Sequence, residues 1–240
     1  MKVFVYLLFV FTISTTNAQS YVDSGIQKYQ TGQYEEAIIL FDKGYELRDV
    51  LTSTSIARVF FYRGISKLEL FKVNGENVDT GVTVEGIFTD IDNSVKYENV
   101  WPAKLEEVQG ELFDILLEKA DEIKKTANRE KEVGQKIGLL NQRINYLKMA
   151  SELGSLSSNS LLLGETYKEI GDLYFKSTED LSKLQIAKKS YEESLLLYEE
   201  ARYDDPYSKD IITALLEIST RLMDQERIDE YEKLLKLSGG

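Results

Sequence analysis

The feature that most constrains this chain is a pair of short amphipathic segments separated by three residues. Residues 21–30 form the first segment, and Gly32 lies in the connection, where a glycine can adopt the left-handed conformation that ends a helix. The second segment carries its apolar and aromatic residues at the spacing of one helical face: Tyr34, Ala37, Ile38, Phe41 and Tyr45. These patterns predict two helices joined by a tight turn.

The same arrangement returns along the chain. A helix over 167–174 precedes a second stripe formed by Leu184, Ala187, Tyr191, Leu195 and Tyr198. We expect Ser177-Thr178-Glu179-Asp180 to act as a capping box at the start of that second helix. Residues 57–71 and 87–95 predict another pair, 102–128 and 131–153 a pair of long helices, and 228–237 a terminal helix. Pro102 and Pro206 are expected at helix starts, which gives about five helix hairpins.

Three glycines lie inside predicted helices, at Gly25, Gly64 and Gly171. A glycine within a helix costs about 1 kcal/mol relative to alanine, so its use there indicates that two helices approach closely. An irregular helical bundle is the alternative to a repeat, because helix hairpins alone occur in both. The equivalent positions of the three glycines favour the repeat.

At these positions the chain resembles the tetratricopeptide repeat family. The first unit carries the family's pattern at Gly25, Tyr29, Gly32, Tyr34, Ala37, Phe41 and Leu47. Its second-helix alanine corresponds to Ala37 and Ala187, and the following small residue to Gly44 and Ser194. The resemblance implies an all-α fold, an α-α superhelix or solenoid of helix pairs with a period near 34 residues, covering residues 19–240.

One segment departs from that pattern. Residues 72–86 form an inserted loop in the second unit, in which Asn74-Gly75 and Val82-Thr83-Val84 suggest a small β-hairpin. The loop is either functional or a tolerated insertion. Just after it, Asp90 to Ser94 has the alternating oxygens of a calcium loop, but Val95 replaces the required glycine, so we interpret this stretch as a solvated acidic helix face.

The first eighteen residues have the organisation of a secretory signal peptide. Lys2 precedes an apolar stretch over 3–11, and Thr16-Asn17-Ala18 offers small residues for cleavage after Ala18. A retained membrane anchor is the alternative, although the apolar stretch is about half of the roughly 20 residues that a spanning helix needs. We therefore expect export to a periplasm or the extracellular space, and no membrane span after cleavage. The absence of cysteine and of Asn-x-Ser/Thr sites favours a bacterial envelope.

Composition excludes several functions. The chain contains 29 basic and 41 acidic side chains and no histidine or cysteine. Removal of the segment with Lys2 changes the formal charge from −12 to −13, which opposes nucleic-acid binding. Without His or Cys, the usual zinc, copper and haem ligand sets and the Ser-His and Cys-His catalytic pairs cannot form. We predict no cofactor, no metal and no enzymatic activity, with a glycosidase that uses only carboxylates as a minor alternative.

The predicted function is therefore a non-enzymatic adaptor or scaffold that binds a protein or peptide. A structural subunit that self-associates, through a terminal helix carrying Tyr231, Leu234, Leu235 and Leu237, is the alternative. In tetratricopeptide proteins the first helices of each pair line a concave groove, which implies a partner-binding face on those helices. The resemblance assigns to that face Val22, Ile26, Tyr29, Arg58, Phe61, Tyr62, Ile65, Glu165, Lys168, Asp172, Phe175 and Lys176.

Overall fold

The computed structural model describes the backbone of residues 2–98, 102–154, 157–177 and 180–238, and the side chains of 16–98, 103–154, 159–176 and 180–238. Over these ranges the chain is all-helical, with ten α-helices and no β-strand. The helices are α1 (Lys2–Gln30), α2 (Tyr34–Glu46), α3 (Ser53–Asn74), α4 (Val84–Tyr97), α5 (Pro102–Arg129), α6 (Val133–Leu153), α7 (Ser157–Ser177), α8 (Leu181–Arg202), α9 (Lys209–Leu222) and α10 (Gln225–Ser238). The all-α prediction is confirmed.

The chain divides into two compact units, residues 1–112 and 113–240, with α5 contributing to both. In the first unit α1 packs on α2 and α3, α2 packs on α3, and α3 packs on α4. In the second unit α6 packs on α7, α7 on α8, α8 on α9 and α9 on α10. Neighbours in sequence are therefore the main neighbours in space within each unit.

The three glycines inside helices do lie where two helices meet. A Cβ atom on Gly25 would lie 2.7 Å from Cε1 of Phe41, and one on Gly171 would lie 2.8 Å from Cε1 of Tyr191. At Gly64 the nearest atom would be Cδ1 of Ile91, also at 2.8 Å. In each case the neighbour is a large side chain of the following helix, so a hydrogen atom is all that the contact leaves room for.

Several local predictions need correction. Asp180, not Ser177, caps α8: its carboxylate accepts a hydrogen bond from the Ser182 N–H at 2.9 Å, while Ser177 ends α7. Thr178 and Glu179 of the expected capping box lie outside the described residues. Pro102 does begin α5, but Pro206 lies in a turn and α9 begins at Lys209.

The inserted segment is shorter and less β-like than predicted. Helix α3 continues to Asn74 and α4 already begins at Val84, so neither end of the 72–86 range is loop. The expected β-hairpin is a single antiparallel bridge between Asn77 and Val82. Thr83 caps α4 by accepting a hydrogen bond from the Gly86 N–H at 3.0 Å.

A buried ionic cluster joins α3 to α4 in the first unit. Asp90 is only 2% exposed, and its carboxylate lies 2.5 Å from Nη2 of Arg63 and 2.9 Å from Nζ of Lys67. The Arg63 guanidinium also contacts Asp42 of α2, at 2.7 Å. Burial opposes the charge on Arg63, but the hydrogen bonds and charges of Asp90 and Asp42 outweigh it, so the pKa of Arg63 is raised. The interpretation of Asp90 as part of a solvated acidic face is therefore wrong.

Candidate binding surface

The structure places much of the face predicted in the first unit inside the protein. Val22, Phe61 and Ile65 are 0%, 4% and 3% exposed, so they present no surface to a partner. For Phe61 and Ile65 the physical reason is that α3 is buried on several sides, since it packs on α1, α2 and α4. Val22 of α1 belongs to the core cluster that includes Phe41 and Val59.

The remaining predicted residues of this unit are half-buried: Ile26, Tyr29, Arg58 and Tyr62. Tyr29 packs edge-on against Tyr62, with ring centroids 5.4 Å apart, and tilted against Tyr34 at 5.8 Å. Ile26, Tyr29 and Tyr62 also pack against the core of the unit. Their aromatic and aliphatic surface is thus largely used for internal packing.

The five residues predicted on α7 keep more of their surface. The Glu165 side chain is 51% exposed, those of Lys168 and Asp172 are each 26% exposed, and Phe175 is 44% exposed. Lys176 is also exposed. Spaced by three or four residues, they follow one side of α7.

Two residues of α9 complete this face. The Lys168 ammonium lies 2.7 Å from the carboxylate of Glu217, and Nε of Arg221 lies 3.9 Å from Oδ1 of Asp172. The Arg221 guanidinium also lies over the Phe175 ring, 5.3 Å from its centroid. We name as the α7–α9 surface the residues Glu165, Lys168, Asp172, Phe175, Lys176, Glu217 and Arg221.

Sequence reasoning did not select Glu217 and Arg221. A sequence pattern that could have identified them is the regular apolar stripe of α9 at Ile211, Leu215 and Ile218. Its polar residues at the complementary spacing are therefore confined to the other side. Only the packing of the helices shows that this side lies beside α7.

The position of Asp172 is fixed from inside the protein. The hydroxyl of Tyr191 on α8 donates a hydrogen bond to Oδ1 of Asp172 at 2.7 Å. Tyr191 is 2% exposed, and burial together with the neighbouring carboxylate raises the pKa of its hydroxyl. The tyrosine therefore stays protonated and keeps Asp172 oriented toward Arg221.

An open cavity adjoins the Glu165 end of the α7–α9 surface. Its volume is about 420 Å³. Four carboxylates and several apolar side chains line it, together with a serine: Leu161, Leu162, Glu165, Tyr198, Ala201, Asp204, Asp205, Ser208, Asp210 and Ile211. The cavity thus combines an apolar wall with a strongly acidic rim.

A buried arginine lies behind Glu165. Arg143 of α6 is 2% exposed, and its Nη1 donates a hydrogen bond to the Thr166 hydroxyl at 2.8 Å. The same nitrogen is 3.9 Å from Oε2 of Glu165, beyond hydrogen-bond distance. Burial lowers the pKa of Arg143, while the charges of Glu165, Asp121 and Glu169 oppose that effect. Nζ of Lys124 also lies 3.9 Å from Oε1 of Glu165, so Glu165 has two cations nearby and a hydrogen bond to neither.

A second cavity, of about 380 Å³, lies in the first unit where α2 and the end of α3 meet the inserted loop. Its lining includes the exposed side chain of Ile39 and the carboxylates of Glu35, Asp42 and Asp79. The loop also lies beside Lys67 of the ionic cluster, because a Cβ atom on Gly81 would lie 3.7 Å from Nζ of Lys67.

The described part of the chain contains neither a group of side chains that could bind a metal ion nor a helix that could span a membrane. Across those residues, no three or more acidic side chains converge in a way that could hold a metal ion. The same residues contain no helix with both the length and the apolar character needed to cross a membrane.

Comparison with known proteins does not assign the chain to a family. No protein-family model matches the chain, and a search of curated proteins finds none with significant similarity.

Proposed function

We propose that this protein is a non-enzymatic adaptor or scaffold that binds a protein or peptide on its α7–α9 surface. The observation that carries the proposal is the surface itself. Charged side chains of both signs and the exposed Phe175 ring lie together on two helices and adjoin an open cavity. Aromatic and arginine side chains beside a cavity are typical of residues that dominate protein interfaces.

A tetratricopeptide-like repeat is part of this proposal. Its support is the repeated contact of a small residue with a large one in the next helix, at Gly25, Gly64 and Gly171. Buried Ala37 and Ala187 occupy the positions of the family's characteristic alanine. In such a repeat α7 and α9 are the first helices of successive pairs, the helices on which partners bind.

Export from the cell is the second part of the proposed function. The sequence of residues 1–18 supports a signal peptide, and cleavage after Ala18 would leave Val22 and Gly25, which contact α2, in the mature protein. The protein would then act in the periplasm or outside a bacterial cell. Expression of the complete chain in a bacterium tests this: we expect the exported fraction to begin at Gln19. Retention in the membrane with residues 1–18 intact would contradict it.

The binding proposal is tested with displayed peptides. The protein purified after expression of the complete chain is immobilised and used to select from a random peptide library, and selected peptides are measured by calorimetry. We expect Phe175→Ala and Arg221→Ala each to weaken binding about tenfold, equivalent to about 1.4 kcal/mol. The control is Glu193→Gln, an exposed position on α8. No enrichment, or equal binding by all variants, would refute the proposal.

Self-association is a second candidate, favoured by α10. The Leu237 side chain is 69% exposed, while Leu234 and Leu235 pack on the core of the second unit. A second copy of the chain could cover this end of α10. Sedimentation at increasing concentration tests it: a monomer throughout excludes this candidate, and a dimer that Leu237→Glu dissociates supports it.

A further inference from the structure

We infer that the cavity beside Glu165 binds a basic side chain, lysine or arginine, of an extended polypeptide partner. The inference deepens the proposed function and rests on it, because it assigns the chemistry of the partner that the α7–α9 surface binds.

The first observation is unbalanced negative charge. Asp204, Asp205 and Asp210 line the cavity, and none of them forms an ion pair with any residue that the structure describes. The fourth carboxylate, Glu165, has two cations nearby, Arg143 and Lys124, each at 3.9 Å. Asp210 lies in the first turn of α9, where the helix dipole stabilises its charge. A cation placed among the three aspartates would gain favourable electrostatic energy without displacing an existing partner of theirs.

The second observation is independent of the acidic residues. Tyr198 of α8 lines the same cavity, although only 9% of its surface is exposed. Its hydroxyl makes no hydrogen bond to the described part of the protein, in contrast to those of Tyr191 and Tyr231. The Tyr198 side chain is thus about nine-tenths buried and lines the cavity, so its unused phenol indicates a ligand group in the cavity that pairs with it.

The packing of α7 on α8 explains why Tyr198 is held there. A Cβ atom at Gly164 would lie only 3.0 Å from Cδ2 of Tyr198, so the glycine admits the ring between the helices. One turn earlier on α8, the Ser194 hydroxyl donates a hydrogen bond to the Gly164 carbonyl at 2.6 Å and fixes this contact. Burial, with the charges of Glu165 and Glu217, raises the pKa of Tyr198 to about 12. At neutral pH the phenol is therefore protonated, and its oxygen accepts a hydrogen bond from an ammonium or guanidinium group.

The apolar wall suits the rest of a basic side chain. Leu161, Leu162, Ala201 and Ile211 line the cavity below the carboxylates. Lysine and arginine bury a hydrocarbon stem along apolar surface and keep the charged end in a polar environment. The cavity volume of about 420 Å³ lies within the roughly 300–1,000 Å³ range of ligand pockets.

The test uses four pools of acetylated and amidated heptapeptides that differ only in the fixed central residue: lysine, arginine, norleucine or glutamate. Binding to the purified protein is measured by fluorescence anisotropy. We expect the lysine and arginine pools to bind at least tenfold more tightly than the norleucine pool, and the glutamate pool to bind most weakly. Norleucine has nearly the shape of lysine without its charge, so this comparison isolates the ammonium group.

Variants then locate the effect. Asp205→Asn and Tyr198→Phe should each weaken binding of the lysine pool about fivefold and leave the norleucine pool unchanged, while Glu193→Gln should change neither. Far-UV circular dichroism confirms that each variant is folded. Added salt should weaken binding of the lysine pool more than binding of the norleucine pool, because screening reduces charge attraction at an accessible site.

The outcomes separate the two proposals. If the lysine and norleucine pools bind equally, the inference that the cavity binds a basic side chain is refuted. It is also refuted if Asp205→Asn and Tyr198→Phe have no effect on binding. If binding then still depends on Phe175 and Arg221, the proposed function stands with a different ligand. If no pool and no displayed peptide binds, both proposals fail.

Discussion

Substitution of Gly171 by alanine tests directly whether the glycines exist to let helices meet. A Cβ atom at this position would lie 2.8 Å from Cε1 and 2.9 Å from Cδ1 of Tyr191, well inside the roughly 3.5–4.0 Å at which carbon atoms attract. The ring cannot move freely, since Tyr191 is 2% exposed and its hydroxyl is bonded to Asp172. Either the ring shifts and strains that hydrogen bond, or α7 and α8 separate.

The size of the effect follows from two opposing contributions. Overpacking a well-filled contact costs about 1–3 kcal/mol, while replacing glycine by alanine inside a helix gains about 1 kcal/mol. Gly171→Ala should therefore destabilise the protein by up to about 2 kcal/mol. Gly138 is the matched control, since it lies within α6 and, apart from its own helix backbone and chain neighbours, no atom would come within 4 Å of its Cβ. Gly138→Ala should stabilise the protein by up to about 1 kcal/mol.

Thermal unfolding followed by far-UV circular dichroism measures the difference. For a protein of 150–250 residues, 1 kcal/mol corresponds to about 2–4 °C in Tm, so the two variants should differ by about 2–12 °C in opposite directions from the parent. Combining Gly171→Ala with Tyr191→Leu, which removes the ring edge, should reduce the penalty of the alanine. The reasoning is refuted if Gly171→Ala and Gly138→Ala stabilise equally, or if the alanine costs the same with leucine at position 191.

Two further predictions concern buried polar groups. Asp90→Asn should destabilise the first unit by about 3–5 kcal/mol in urea unfolding, because it leaves the buried charges of Arg63 and Lys67 without their shared carboxylate. The control is Asp42→Asn, which should cost less than about 1 kcal/mol because the Asp42 side chain is 54% exposed. Equal losses of stability in the Asp90→Asn and Asp42→Asn variants would show that the Asp90 cluster is not the stabilising contact. Folding raises the pKa of Tyr198 to about 12 from about 10 in unfolded chains, so its contribution to stability is present below pH 10 and is lost as the pH rises through 12. Between pH 9 and 11, the free energy of unfolding measured in urea should fall less for Tyr198→Phe than for the parent. An equal fall in both proteins would contradict the raised pKa of Tyr198.

Local sequence patterns determined most of the helices. The long helices were predicted at 102–128 and 131–153 and lie at Pro102–Arg129 and Val133–Leu153. Helical periodicity is set by contacts three or four residues apart, so it is readable in any short window of the chain. Gly25, Gly64 and Gly171 were informative for a related reason, because a residue unfavourable to its own helix must be explained by a neighbouring one.

Tertiary structure decided which helix faces remain accessible. The same helical spacing that selected Glu165 and Phe175 also selected Phe61 and Ile65, and only the packing of α3 on three other helices shows that the latter are buried. The pairing of Asp90 with Arg63 and the approach of Tyr198 to Gly164 join residues 27 and 34 positions apart. Such contacts depend on how separate helices pack, and the period of a single helix contains no information about that packing. The unpaired phenol of Tyr198 and the acidic cavity around it therefore became visible only once the helices were assembled.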